Sequence, residues 1–389
     1  MIFLDLNTFF AERAGGIRTY HRAKMAWMAG QPRHTYHLVH PGPRHSVTRA
    51  APNVHLVQVY GVPTSRDPGG YRWMLDYRRV LRIIEEVQPE VVEVGDPWLS
   101  GAFARWIRRT GRYRGLISAF YHSDPIRTWV DPWARSTGPT RNARTRLADR
   151  LGRGFYEWQR AYDVTLVTSR AMERHLRTRG VASVARLPFG VDPLFFAAGD
   201  ARQAERTEDG SVRLLYAGRL GREKGVGLLL DVLPGLLADP RVRVSVMGRG
   251  AYERDFARID HSSFRFLGFV ADRAEVAREF SRHHMLLAPG PHETFGLSVL
   301  EGLAAGMAVV GPDAGGTGEL LEEVASPFVF RAGSAEGFRQ AILRAVEQDP
   351  AAGAQKARAL ARRYGTWDDA IARMAGFYEQ RLGEAHAAA

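Results

Sequence analysis

A chain of 389 residues exceeds what one ordinary hydrophobic core supports, so two domains are expected. With 45% hydrophobic and 25% charged residues and no cysteine, its composition is that of a soluble globular protein and excludes disulfides, a thiol nucleophile and a Cys-ligated zinc. The net charge of +12 is one-sided: residues 1–200 carry 30 basic and 17 acidic side chains and residues 201–389 carry 24 and 25, which predicts an anionic partner for the first half.

In chain order, Met1-Ile2-Phe3-Leu4-Asp5-Leu6-Asn7 is apolar but interrupted at Asp5 and Asn7. That pattern fits a core strand over Ile2–Leu6 and not a signal peptide. No run of about eighteen apolar residues occurs, so no membrane-spanning helix is expected. Ala14-Gly15-Gly16-Ile17-Arg18-Thr19 follows the first strand. Paired glycines before a helix let backbone N–H groups approach a phosphate closely, and a tight strand-to-helix turn explains them equally well.

Further strands are expected at Thr35–Val39, Val54–Val59, Val91–Val94, Gly115–Phe120, Val164–Thr168 and Val184–Leu187, with helical spacing over Tyr71–Val87 and Gly101–Arg109. The second half continues with Arg213–Tyr216, Val242–Met247, Phe264–Phe269, Met285–Ala288 and Ala308–Val310. Strand-helix alternation of this kind argues parallel α/β sheets. Residues 197–211 lose apolar periodicity and read as a linker, and Pro188-Phe189-Gly190-Val191-Asp192 reads as hinge material before it. Thr366, with Asp368 and Asp369 after it, reads as the cap of a last helix running to about Leu382.

Between Arg105 and Arg160 there are thirteen arginines, interleaved with Trp106, Trp129, Trp133, Phe155, Tyr156 and Trp158. Such a surface suits an anionic bilayer, and a solvated arginine face over core tryptophans accounts for it equally.

The most specific string is His292-Glu293-Thr294-Phe295-Gly296-Leu297-Ser298-Val299-Leu300-Glu301-Gly302. It follows an apolar strand, and a helix is expected from about Leu297 to Ala305. A strand-turn-helix unit directs free N–H groups out of the helix start, where an anion binds. Glu293 flanks that point, and Glu301 lies further along the helix, within reach of hydroxyls. A nucleotide sugar, with a diphosphate between two sets of hydroxyls, has the matching shape. Two glutamates eight apart would ordinarily be solvated; the whole string, with Gly315-Gly316-Thr317-Gly318-Glu319 beyond it, is what separates this segment from that case. Leu214-Leu215-Tyr216-Ala217-Gly218-Arg219-Leu220-Gly221-Arg222-Glu223-Lys224-Gly225 is the second string. Arg219 offers a planar fork and Lys224 a mobile point charge, both suited to phosphate oxygens. Fixed cations there stabilise a departing diphosphate most in the transition state.

These strings resemble the signature of the retaining GT-B glycosyltransferases of the large family that includes sucrose synthases and phosphatidylinositol mannosyltransferases (glycosyltransferase family 4, group 1). The resemblance covers nearly the whole chain and is most specific from Leu214 to Glu319. It implies an α/β, GT-B fold with two Rossmann-like domains facing each other across a cleft. The expected organisation is an acceptor-binding domain over 1–196, a linker over 197–211, a nucleotide-sugar domain over 212–365, and a helix over 366–389 returning to the first domain.

By the resemblance, Glu293 and the amides of Phe295, Gly296, Leu297 and Ser298 hold the donor sugar and Glu301 the ribose. Arg219, Lys224 and the Gly15-Gly16 pair face the diphosphate, and Arg18 adds charge. His122, at the end of Ala119-Phe120-Tyr121-His122-Ser123-Asp124, falls where the family carries a histidine beside the donor sugar. Asp124 would orient that imidazole or face the acceptor. His122, Glu293, Arg219 and Lys224 are thus the candidate catalytic set. No Asp-x-Asp triplet and no zinc-spaced cluster occurs, so transfer is expected to need no metal and no cofactor, only the nucleotide sugar as co-substrate.

The reading is transfer of a hexose from GDP-mannose or a UDP-hexose to a lipid or lipid-linked glycan. Its setting is cytoplasmic, with the inner face of an anionic membrane as the place for the Arg/Trp-rich half. An epimerase or phosphorylase on the same fold is the alternative. A nucleic-acid-binding protein is the remaining rival; no nucleic-acid motif supports it, and nucleic acid is not expected as a partner.

Overall fold

The computed structural model describes residues 1–11, 15–64, 70–96, 99–135, 141–201, 210–348 and 352–388. The chain divides into two compact units. One comprises Met1–Thr168, Met172–Leu187 and Asp368–Ala389; the other comprises Ser169–Ala171 and Pro188–Trp367.

The first unit is built on β1 (Ile2–Leu6), β2 (Thr35–Gly42), β3 (Ser46–Ala51), β4 (Val54–Pro63), β5 (Arg72–Met74), β6 (Val91–Val94), β7 (Leu116–Phe120), β8 (Val164–Val167) and β9 (Val184–Arg186). Their order is β3-β4-β2-β1-β6-β7-β8-β9, with β5 on β4. All pairs are parallel except β3 with β4 and β4 with β5. Helices such as Gly16–Ala29, Tyr77–Val87 and Leu99–Arg109 link the strands, and β1 is central because both its faces are covered. Leu4, Leu6, Val92, Val94, Ile83 and Ile107 anchor the core between sheet and helices.

The second unit carries β10 (Val212–Ala217), β11 (Val242–Met247), β12 (Phe264–Gly268), β13 (Met285–Leu287), β14 (Ala308–Pro312) and β15 (Val329–Phe330), ordered β12-β11-β10-β13-β14-β15 and parallel throughout. The order reverses at β10, a topological switch point whose carboxyl ends form the usual ligand crevice.

Several expectations need correction. Tyr71–Val87 is not one helical segment: β5 occupies Arg72–Met74, and the helix starts at Tyr77 after Asp76, whose carboxylate accepts the Arg79 N–H at 3.0 Å. β3 and β15 were not expected, β3 because it is a largely exposed edge strand and β15 because it has only two residues. The stretch 197–211 is not all linker. Asp192 caps a helix over Pro193–Asp200, Phe195 packs on Phe280 at 5.0 Å, and Gly199 is small because the Ala304–Ala305 backbone passes beside it. Residues 202–209 lie outside the described residues. The last helix, Trp367–Ala388, runs past Leu382. Tyr378 is fully buried in the first unit, 5.8 Å from Phe3.

Candidate functional site

Two separate strings meet in the second unit. After β10 the chain turns through Gly218 to a short 3-10 helix, Arg222–Lys224, and Gly225 follows at φ +68°. A Cβ on Gly225 would lie 2.5 Å from the Pro289 carbonyl oxygen, and one on Gly290 would lie 3.1 Å from Lys224 Cα. Only glycines permit this backbone crossing. It leaves Lys224 Nζ 2.6 Å from Glu293 Oε1, in a partly exposed ion pair. Arg219 stands at the rim with its guanidinium 3.5 Å from Glu223, and its carbonyl accepts the Tyr216 hydroxyl at 2.7 Å.

The helix Leu297–Ala304 starts beside this pair. Gly296, at φ +87°, precedes it and no side chain caps it. Phe295 is buried, whereas Leu297 and Ser298 are half-buried. The Gly315-Gly316 pair props up the Glu293 loop: the Gly316 N–H donates to the Glu293 carbonyl at 2.7 Å, and a Cβ on Gly316 would collide with the Phe295 backbone. Within the same unit, Glu319 receives the N–H groups of Arg170 and Ala171 at 3.0 and 2.9 Å. Gly248 and Gly250 pack against the Gly218 and Leu220 carbonyls, and Arg249 lies over the Phe269 ring at 5.2 Å.

Glu301 is buried, one helical turn in, and accepts from Arg273 Nη2 at 2.5 Å. Burial raises its carboxyl above the ordinary range and the Arg273 charge opposes this. Arg273 also lies 3.6 Å from Asp192. Sequence reasoning missed Arg273, since nothing in its spacing ties it to Glu301; only its place after the Asp272 helix cap was visible.

In the first unit, Gly15 and Gly16 are exposed at the start of the helix Gly16–Ala29, which has no side-chain cap, and Arg18 is half-buried in its first turn; Ala14 lies outside the described residues. His122 follows β7 and stacks on Phe120 at 4.6 Å, with Tyr20 at 5.1 Å and His21 at 6.2 Å. Burial, then the nearby His21, lowers its pKa to about 3. The imidazole is therefore neutral at physiological pH and acts as a polar contact, not as a cation.

Asp124 does not orient His122. It is buried against His175 Nε2 at 2.7 Å and accepts the Arg127 N–H at 3.0 Å, closing the turn before Ile126–Val130. A void of about 10 Å³ beside His122 is lined by Asp96, Tyr121, Gln159 and Tyr162.

Beneath His122 lies a buried polar network that sequence reasoning also missed. Lys24 Nζ sits 2.8 Å from Asp5 and 3.2 Å from Glu93. The Tyr36 hydroxyl donates to Asp5 at 2.7 Å, and those of Tyr20 and Tyr378 donate to Glu93 at 2.7 and 2.8 Å. Burial would raise Asp5, but Lys24 and His21 hold it below the ordinary carboxylate range. Burial and the Asp5 charge raise Glu93. The Asp5 interruption of the first strand was the only visible sign. Among the described residues no cluster of three His, Asp or Glu side chains could hold a metal.

Two Rossmann-like units on largely parallel sheets define a GT-B fold. Among solved structures, the sucrose-phosphate synthase of Thermosynechococcus elongatus matches with a TM-score of 0.75 over 99% of this chain and 100% of that one, at 17% identity. The profile described as Glycosyltransferase Family 4 matches residues 14–194, and that described as Glycosyl transferases group 1 matches residues 211–348. The chain belongs to this group 1, family 4 class of glycosyltransferases.

A GDP-mannose-dependent alpha-(1-6)-phosphatidylinositol dimannoside mannosyltransferase of Mycobacterium tuberculosis is 29% identical over 80% of this chain and 79% of its own length. A GDP-mannose-dependent alpha-mannosyltransferase of the same organism is 32% identical over 62% of this chain and 60% of its own.

Proposed function

We propose that this glycosyltransferase moves mannose from GDP-mannose to a hydroxyl of a lipid or lipid-linked glycan, with retention of anomeric configuration and without a metal or cofactor. The observation that carries the reading is the Lys224–Glu293 pair beside the uncapped helix start at Gly296. Lys224 and Arg219 take the diphosphate, where charge grows as the glycosidic bond breaks, and fixed cations act there without reorganisation. Glu293 and the amides of Phe295 to Ser298 hold the sugar, and Glu301, oriented by Arg273, holds the ribose. In the first unit, His122 donates or accepts a hydrogen bond as neutral imidazole. No residue stands out as a general base, and, as the family resemblance implies, we assign the acceptor proton to the leaving phosphate oxygen.

The choice of GDP-mannose is supported by the two relatives, each named for that donor. A lipid acceptor is supported by the name of the first and by the arginine-rich helices of the first unit. There Trp129 and Trp133 are exposed, as are Leu147 and Leu151, which lie one turn apart on Arg141–Gln159 among arginines. Indole rings and arginines of this kind suit an anionic leaflet. Among the described residues no helix is long and apolar enough to cross a membrane. A peripheral position on the inner leaflet, facing the cytoplasm, follows from the proposal.

A thermal-shift panel of GDP, UDP, ADP and their sugars, with and without magnesium, tests it. The expected result is a shift for GDP and GDP-mannose, indifferent to magnesium and lost in Glu301→Ala and Arg219→Ala, because a ligand binding only the folded state raises Tm. No shift with any nucleotide would sink the reading. A new sugar nucleotide formed without acceptor would point to an epimerase instead.

A further inference from the structure

The donor groups of the second unit follow its strands in an order that gives the ligand a direction. The sheet runs β12-β11-β10-β13-β14-β15. Glu293, on the reading above the sugar contact, follows β13, and the diphosphate cations Arg219 and Lys224 follow β10. Glu301, the ribose contact, pairs with Arg273, which opens the helix after β12. Sugar, phosphates and ribose thus progress from β13 toward β12, and the base falls to the carboxyl ends of β11 and β12. Adjacent strands lie about 4.8 Å apart, so those ends extend roughly 10 Å beyond β10, the reach of a ribose with its base.

Two side chains stand there. After β11 comes Gly248-Arg249-Gly250, whose glycines pass close to the Gly218 and Leu220 carbonyls. The Arg249 carbonyl accepts the Leu220 N–H at 2.8 Å, which fastens Arg249 one residue away from Arg219. β12 slips against β11 at its end: Val246 faces Phe266, but Met247 faces Gly268. Gly268 turns at φ +62°, and its carbonyl accepts the Gly248 N–H at 2.7 Å. A bulge of this kind re-aims the side chain that follows. Here that is Phe269, which is 45% exposed and carries the Arg249 guanidinium 5.2 Å over its ring. Arg249 Nε is buried with no hydrogen-bond partner among the described residues. The ring holds the guanidinium by its π-face, and its exposed part offers an apolar surface to a base.

We propose that Arg249, held by Phe269, reads the base of the donor and selects guanine. This rests on the nucleotide-sugar reading of the donor site. Guanine presents two neighbouring acceptors, O6 and N7, which an arginine fork meets bidentately. Adenine puts an N6 amino donor in place of O6, and two donors then face each other. Uracil offers O4 alone on that edge. A solvated arginine resting on a surface ring would leave the four bases equal, so nucleotide preference is the property that separates the two cases.

Isothermal titration of GDP, IDP, ADP and UDP into the full chain tests this. IDP keeps O6 and N7 and lacks only the 2-amino group. GDP and IDP are expected to bind alike, with ADP and UDP at least about tenfold weaker, the discrimination of one good bidentate contact. Glutamine pairs with adenine N6 and N7, so Arg249→Gln should cut the GDP-to-ADP preference at least about tenfold. Arg249→Lys keeps the charge without the fork, and should lose the preference while binding all four nucleotides. An unchanged Tm and far-UV circular dichroism spectrum would show that the variants are folded. If Arg249→Gln is not, Phe269→Leu is read instead, with the preference expected to fall about threefold as the guanidinium loses its ring.

A GDP-to-ADP preference that survives Arg249→Gln and Arg249→Lys, or Phe269→Leu where that variant is the one read, would overturn the assignment. So would IDP binding as weakly as ADP, which would place the contact on the 2-amino group. An equal loss for all four nucleotides in Arg249→Gln would show a phosphate contact or a structural role in its place. Tight binding of GDP, ADP and UDP alike to the wild-type chain would sink base selection and leave the donor site standing. Binding of none of them would sink both.

Discussion

Lys224 and Glu293 lie far apart in sequence yet share one ion pair, and that pair decides what each does when phosphate arrives. On the proposed reading the amine exchanges a carboxylate for a diphosphate, so Lys224→Ala should lower kcat/KM by about 10²–10³-fold, the usual cost of one electrostatic donor in a transition state. Steady-state kinetics with GDP-mannose reads this. Arg273 shields the buried Glu301 carboxylate. Its removal leaves a charge unpaired, and Arg273→Ala should cost about 2–3 kcal/mol in urea unfolding, less than the ~3–5 of a fully buried pair because Arg273 is partly exposed. His122, with its pKa near 3, is already neutral. His122→Ala should lower kcat while leaving the pH–rate profile between about pH 5 and 8 unchanged in shape, because a group contributes a limb only near its pKa. A limb lost in that variant would show a protonated imidazole at work. Glu293, Glu301, Arg219 and Lys224 were legible because their strings carry glycines and charges at fixed offsets. Arg273 was not, since its partner lies in another helix and a lone arginine after a helix cap has no signature.

At the scale of elements, the loops after strands matter more than the strands. Gly316 has its N–H on the Glu293 carbonyl and no room for a side chain beside Phe295. Gly316→Ala should displace the Glu293 loop, costing about 1–3 kcal/mol as overpacking does. Activity should fall at least tenfold while far-UV circular dichroism stays native; a fully active variant would show that the loop tolerates the shift. The central strands of both sheets were readable because parallel strands covered on both faces are predominantly apolar, even with single breaks such as Asp5 and Arg213. β3 and β5 were not, being edge strands with exposed residues, and the helix Pro193–Asp200 was hidden by small residues that its close packing requires.

For the whole molecule, buried titratable groups set the dependence of stability on acid. His37, His40 and His283 are held near pKa 4, and His122 near 3, by burial in each case. Unfolding returns them toward 6.5, so the unfolded chain binds more protons between those values. Stability should therefore be full above about pH 6.5 and fall as the pH drops toward 4, with the urea midpoint lower at pH 5 than at pH 7. A midpoint independent of pH over that range would contradict the burial of these imidazoles. In the first unit, Lys24→Met would leave Asp5 and Glu93 buried without their cation and should cost about 3–5 kcal/mol. The two-unit α/β architecture was legible from strand-helix alternation, and this network was not, because a single Asp in an apolar strand does not name its partner.

Glu93 waits for that partner during synthesis. The Tyr378 hydroxyl that completes its hydrogen bonding lies 285 residues further along the chain. At about 5–20 residues per second, a ribosome needs roughly 15–60 s to cover that interval. The second unit is nearly contiguous from Pro188 to Trp367 and can close within it. The nascent amino-terminal unit meanwhile holds the Lys24–Asp5–Glu93 cluster without the Tyr378 hydroxyl that completes it.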